Sequence, residues 1–395
     1  MKNNRSLRSF SAFAFLRDER FLRILGQIVF LVFLFIIFSE LIGNMQSNMR
    51  RQGLSLSFSF LELTAGFDIG EHLISYTRSD TFARAFLVGL LNTLLVSALG
   101  IVFATLLGVI FGVARLSSNF LIRHIARAYI ELLRNIPLLV LLIFAYIGVF
   151  IKFPRVQQAI TLPGPVLISN RGVAIPRGIP TETFQSFLMS LLVGIVLALA
   201  VGLALAWYGR RTGRPPLTLF WVLVILLLSA VIGWLAQPAA PLAFEAPALQ
   251  GLRVAGGQQF SPEFMALLSG LAVYTSAFIA DVVRAGIQSV SRGQVEAARS
   301  LGLSGPLTLR LIVFPQALRV IIPPLTSQYL NLTKNSSLAV AVGYPELFHV
   351  SGTILNQSGR TVEMITLAMA TYLLISLITS AFMNWYNNRV RLVER

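Results

Sequence analysis

Lys334 is the one basic side chain set deep within an apolar stretch of this 395-residue sequence. A charge inside a membrane segment needs an anionic partner or a wet pathway, and by default it marks a functional site. Two chemistries are open to it: the carboxylate of a transported molecule, or an internal acid such as Asp281 or Glu363. Asn331, Thr333, Asn335, Ser336 and Ser337 give the same stretch a hydrogen-bonding face. Glu131 with Arg134 and Asp281 with Arg284 stand three residues apart, the spacing of helical ion pairs, and read as structural anchors. Asn92 and Tyr274 either line a pathway or satisfy interhelical hydrogen bonds.

Catalytic chemistry is sparse. With no Cys there is no disulfide framework, thiolate metal site or cysteine nucleophile. His72, His124 and His349 lack metal-ligand spacing, so no metal site is expected. None of the three lysines, Lys2, Lys152 and Lys334, follows a glycine, so the chain has no G-x-x-x-x-G-K-[ST] phosphate loop. No G-x-S-x-G or H-E-x-x-H occurs either, which counts against an intramembrane enzyme.

The elements that must position these groups are membrane helices. The chain is 55% hydrophobic and 12% charged, with a mean hydropathy of +0.75, against about 25% charged in soluble domains. A span takes about 20 mostly apolar residues, which predicts an all-α polytopic protein with eight spans near 22–42, 85–113, 134–151, 187–208, 217–236, 264–283, 318–343 and 363–385. The first is too long for a signal-peptide core and reads as retained. The formal charge of +16 comes from residues flanking the spans, which speaks for orientation in a bilayer and against nucleic acid. Of 32 Lys and Arg, 21 fall on the side that includes both termini and ten on the other, so both termini are predicted to be cytoplasmic.

Small residues recur at every fourth position in span two (Gly100, Ala104, Gly108, Gly112) and span four (Ser190, Gly194, Ala198, Gly202, Ala206), as in close helix seams. Segments 43–83, 154–186 and 237–263 read as outer loops with short helices, and 210–216 as a tight inner turn. No internal repeat supports an inverted-repeat secondary transporter.

One polar segment, Glu296 to Pro315, is patterned rather than random. Ser291-Arg-Gly-Gln294 has the form of a capping box, with Ser291 as N-cap. Gly302 suits a left-handed helix stop, and Pro315 the first turn of the next helix. A short helix from Arg292 to Leu301 follows. Small Ala297 and Ala298 would let it sit deep in a partner's groove, with Glu296 fixing it by an ion pair or hydrogen bond; the bland alternative is an interfacial helix.

Glu296-Ala297-Ala298, Gly302, Ile312 and Pro315 together resemble the inner-loop signature of bacterial ABC importer permeases. Gly89–Leu94, Tyr129–Pro137, Tyr274–Arg284 and Leu332–Ala339 are similar to motifs of its polar amino acid branch. The resemblance covers 87–150 and 264–385, and the architecture looks like the longer membrane subunit of a general L-amino-acid transport system. It implies a five-helix core from spans two, three, six, seven and eight, divided into 85–153 and 264–385. The flanking parts are 1–84 with the first span, an insertion at 154–263 with two extra spans, and a basic tail at 386–395. It further implies a coupling helix, with Arg292, Gln294, Glu296, Ala297, Ala298, Arg299 and Gly302 facing an ATP-binding subunit on the cytoplasmic side. Lys334, Asn335, Ser336, Asn92 and Tyr274 become the candidate substrate pathway. The implied partners are a sister permease in a heterodimer, a periplasmic amino-acid-binding protein and the inner-membrane bilayer. The chain itself would carry no cofactor, ATP and Mg being held by the ATPase. The competing reading is an ion-coupled secondary amino-acid transporter.

Overall fold

The computed structural model describes residues 19–51, 57–212 and 217–390. Lys2, Arg5, Arg8, Arg17, Arg214, Arg391 and Arg395 of the charge count, and part of the expected 210–216 turn, lie outside the described residues. The chain divides into two units, residues 1–60 and 61–395. The first holds α1 (Glu19–Arg51), 33 residues or about 50 Å of helix, ample for a crossing.

The second unit is built on α2 (Phe82–Ala114). Thr81 opens this helix, its hydroxyl accepting from the Arg84 N–H at 3.3 Å. After a short turn, Asn119 caps α3 (Phe120–Asn135), its Oδ1 accepting from the N–H groups of Leu121 and Ile122 at 2.9 and 3.2 Å. The expected span 134–151 is broken near its start rather than straight. Pro137 forces Ile136 into extended backbone and ends α3. The chain restarts as α4 (Leu138–Ile143), a π turn (Phe144–Val149) and a 3-10 turn to Lys152, bent 106° from α3. At that angle the two segments cannot both follow the bilayer normal.

The 154–263 insertion departs from the expected loops. Before its helices come β1 (Ile160–Leu162), β2 (Val166–Ser169), β3 (Gly172–Ile175) and β4 (Arg177–Pro180). The helices are α5 (Phe184–Thr212) and α6 (Thr218–Leu235), followed by β5 (Leu242–Glu245), β6 (Ala248–Gln250), β7 (Arg253–Ala255) and β8 (Gln258–Phe260). All pairs are antiparallel: a sheet ordered β1-β2-β3-β8, and the ribbons β4-β5 and β6-β7. Strands before the hairpin pair with strands after it, so the insertion closes on itself. These strands are short and partly exposed, hence invisible to a hydropathy window. The spans themselves are helical, as expected.

Next is α7 (Pro262–Gln288), capped by Ser261, whose Oγ accepts from Phe264 N–H at 3.0 Å. The Glu71 carboxylate accepts from the Ser261 N–H, and burial pushes its carboxyl above the ordinary range despite that bond. The small-residue stripe of α2 lies on α7: a Cβ at Gly112 would stand 2.7 Å from the Ala280 carbonyl oxygen, and Ala104 is wholly buried. Gly100 of the same stripe meets Leu332.

The chain then makes α8 (Arg292–Ser300) and turns directly into one long rod. The rod comprises α9 (Gly305–Thr308), a π turn (Leu309–Val313), α10 (Phe314–Asn335) and a 3-10 turn (Ser336–Ala341). Helix therefore begins at Gly305, ten residues before Pro315. The π turn just ahead of that proline accommodates a ring that would clash in an unbroken helix. Pro323 and Pro324 lie inside α10. A helix that sequence reading did not anticipate, α11 (Leu347–Ser358), precedes α12 (Thr361–Val390). Among the described residues seven helices are long and apolar enough to cross a membrane, eight if the bent pair counts as one.

Candidate functional site

α8 is an exposed helix held at both ends by backbone geometry. Ser291 adopts the extended N-cap conformation, but its hydroxyl makes no cap bond, so the expected capping box with Gln294 does not form. The Gln294 N–H instead bonds the Ser291 carbonyl oxygen at 3.1 Å. The other end is a full Schellman stop. Gly302 has φ +78°, its N–H bonds Arg299 O at 2.9 Å, and the Leu303 N–H bonds Ala298 O at 3.1 Å.

Ala298 is buried against its own chain, where α8 packs on α9 and the π turn, so it is not free for a partner as expected. Arg292, Gln294, Glu296, Ala297 and Arg299 are exposed. Leu301, which sequence reading passed over, projects 82% exposed at the tip. Its only sequence signal was a large apolar residue placed at the stop of a polar helix.

Near the same end, Asp281 of α7 gathers three arginines. Arg115 Nη1 lies 2.8 Å from it, Arg284 Nε 3.5 Å, and Arg134 donates to Oδ2. The Asp281–Arg284 spacing thus yields a contact within a cluster that ties α2, α3 and α7. The expected Glu131–Arg134 pair is not made. Glu131 pairs with Arg127 at 2.7 Å one turn away on α3, while Arg134 is drawn across to α7.

At the opposite end of the rod, α10, α11 and α12 enclose a cavity of about 530 Å³. Lys334, Ser337, Phe348, Ser351, Met364 and Tyr372 are among its walls. Lys334 is exposed and makes no ion pair among the described residues. Neither expected internal acid reaches it, since Asp281 holds the arginines and Glu363 faces Arg360 at 3.5 Å. The other candidate pathway residues are committed elsewhere or only partly open. The Asn92 amide donates to the carbonyls of Glu71 (2.8 Å) and Pro345 (2.9 Å), which makes it a staple between α2 and two loops. Ser336 is fully buried and donates to the Thr333 carbonyl at 2.7 Å. Tyr274 lies 5.0 Å from the Phe278 ring beside the core, and Asn335 is half-buried.

One buried acid escaped sequence reading. Glu346 is wholly buried and caps α11, its carboxylate accepting from the N–H groups of Phe348 (2.9 Å) and His349 (2.8 Å). The Tyr372 hydroxyl on the cavity wall donates to it at 2.6 Å. The available signal was an acid directly before an apolar helical run, at the N-cap position.

A polytopic helical core with seven or eight helices able to cross a bilayer, a patterned exposed helix at one end and a mostly apolar cavity at the other describe a membrane-embedded protein. The family described as binding-protein-dependent transport system inner membrane component matches residues 100–392, and this chain belongs to it. The putative amino-acid ABC transporter permease protein YhdX of Escherichia coli is 47% identical over 375 residues, 94% of each chain. The general L-amino acid transport system permease protein AapQ of Rhizobium johnstonii is 42% identical, covering 96% of this chain and 94% of its own. The glutamate/glutamine/aspartate/asparagine transport system permease protein BztB of Rhodobacter capsulatus is 40% identical over 96% of each. Such coverage must run through the 154–263 insertion, so the similarity extends to the long form of the permease and not only to its core. The ion-coupled reading gains no support from these relatives.

Proposed function

We propose that this chain is the membrane-spanning permease subunit of an ATP-driven importer that carries amino acids across the bacterial inner membrane. The observation that carries the proposal is the joining of α8 to α10 by one rod. Gly305 to Lys334 is about 44 Å of helix at 1.5 Å per residue, so a load on α8 reaches the cavity through a continuous element. Burial of Ala298 fixes α8 to the foot of that rod, and the exposed Glu296, Ala297, Arg299 and Leu301 face an ATP-binding subunit on the cytoplasmic side. ATP and Mg belong to that subunit, because this chain has no phosphate loop.

Lys334 offers an unpaired ammonium to the substrate carboxylate, a group shared by all amino acids. The apolar walls of the cavity impose little choice of side chain, which suits a general carrier. A sister permease completes the pathway and a periplasmic binding protein delivers to it. Closure of the ATPase pair draws the two α8 helices together, and the rods turn as rigid bodies to open the pathway outward.

Uptake of labelled amino acids into vesicles carrying the assembled complex tests this reading. Uptake is expected only with ATP inside and the ATPase subunit present. Uptake driven by an ion gradient without that subunit would contradict it.

A further inference from the structure

A second pocket, of about 200 Å³, lies beside the Asp281 cluster, walled by Arg115, Arg123, His124, Arg127, Arg284 and Gln288. No acid lines it. Among the described residues its four arginines, with Arg134 next to them, pair only with Asp281 and Glu131, five positive charges against two negative ones. Arg123 has no carboxylate within ion-pair distance among the described residues; its guanidinium donates to the Ser117 carbonyl at 3.2 Å. Arg284 Nη1 is held on Gln288 at 3.0 Å, and its buried Nε faces the Asp281 carboxylate at 3.5 Å without a hydrogen bond. Three helices thus converge donors on a hollow that nothing among the described residues fills.

We infer that this pocket binds the phosphodiester of an anionic phospholipid in the cytoplasmic leaflet. Arginine is suited to phosphate because its planar fork donates two parallel bonds. Basic pockets between membrane helices on the cytoplasmic side bind such headgroups, and the basic-residue bias assigns this end to that side. A lipid is favoured over free phosphate by the rim. The Phe120 ring packs 3.8 Å from the His124 ring and is itself 66% exposed, so apolar surface for an acyl chain starts where the pocket ends. The bound headgroup would brace α3 against α2 and α7 at the bend.

The test uses the full transporter complex, delipidated in detergent and titrated separately with phosphatidylglycerol, phosphatidylcholine and inorganic phosphate while its unfolding midpoint is followed. Phosphatidylglycerol alone is expected to raise the midpoint saturably. At about fivefold per arginine, Arg123→Gln with Arg127→Gln should weaken half-saturation about 30-fold. The Arg127–Glu131 pair is exposed, so the unliganded midpoint should stay close to that of the parent. If the double variant does not fold, Arg123→Gln alone, which gives up only a backbone contact, carries the test. Equal shifts from phosphatidylcholine, a saturable shift from inorganic phosphate alone, or an undiminished shift in the variant would each overturn the assignment. So would loss of the ATPase subunit from the variant with the lipid response intact, since the pocket would then hold a partner's acid.

Discussion

Two pairs of helices in this molecule use the same sequence device to different ends. On α2 the inner half of a small-residue stripe, Gly108 and Gly112, faces α7, and on α5 a similar stripe faces α6, where Gly194 meets Ser229 and Gly233 meets Ser190. The α2–α7 seam lies within the core, with α3, α10 and α11 packed around it, and two thirds of the apolar window of α7 is buried. The α5–α6 pair packs chiefly on itself, and only 11% and 6% of its windows are buried. Close approach alone therefore does not make a core. What distinguishes the first seam is the elements stacked on it and the ion cluster that ties them. The first seam is braced on several sides by other helices, whereas the hairpin helices are braced chiefly by each other.

The sharpest way to break this contrast is at Asp281. Asp281→Ala leaves three arginines around an empty place, and losing the shared acid of a partly buried ion cluster costs about 1.5–3 kcal/mol. The expected result is a collapse in the yield of folded permease, read by size-exclusion chromatography, while a double variant that also removes Arg134 recovers part of it. Next is Gly112→Ala, whose added methyl meets backbone that cannot rotate away, at a cost of about 1–3 kcal/mol in the unfolding midpoint. Gly194→Ala crowds Ser229 equally, but α6 is open on its far side and can move. Uptake should stay near the parent level, and a loss matching that of Gly112→Ala would erase the distinction between the seams.

At the cavity, Lys334→Gln should lower amino-acid uptake roughly 10- to 100-fold with complex assembly unchanged, the equivalent of one charge-assisted hydrogen bond of about 1.5–3 kcal/mol. Unchanged uptake would remove Lys334 from the pathway. The smallest effect concerns Glu71. Its carboxyl is raised by burial, so the folded state holds the proton more tightly than the unfolded chain. Its contribution to stability is full in acid and is lost as pH rises through the ordinary carboxylate range and above it. Glu71→Gln keeps an acceptor for Ser261 and should flatten that slope in pH-dependent melting curves.

Much of this was legible in the sequence where one physical signal dominated. Hydropathy located the spans because the bilayer sets their length, and Gly302 marked the end of α8 because only glycine takes that backbone conformation without strain. Signals that compete locally were lost. The apolar run read as a span from 134, although Pro137 ends α3 there and the run turns away from it as a separate helix. Glu131 had basic residues on both sides in sequence, and only the position of Asp281 on another helix decides that Arg134 leaves it. Ala298 and Ala297 are equivalent in composition, yet one is buried against the foot of the rod and the other exposed. Glu346 is a buried acid explained by its hydrogen bonds, of which spacing hints at the N-cap pair but not at the Tyr372 hydroxyl on another helix.

The central claim is that the exposed face of α8 is where an ATP-hydrolysing partner takes hold. Co-purification of that subunit with the permease, measured together with ATP-driven uptake, tests it most directly in the variant Glu296→Lys with Leu301→Asp. Both side chains are exposed and support no internal contact that the fold needs, so the permease should remain folded. Loss of the subunit and of uptake together is the predicted result. A variant that retains the subunit at full stoichiometry and transports at the parent rate would contradict it.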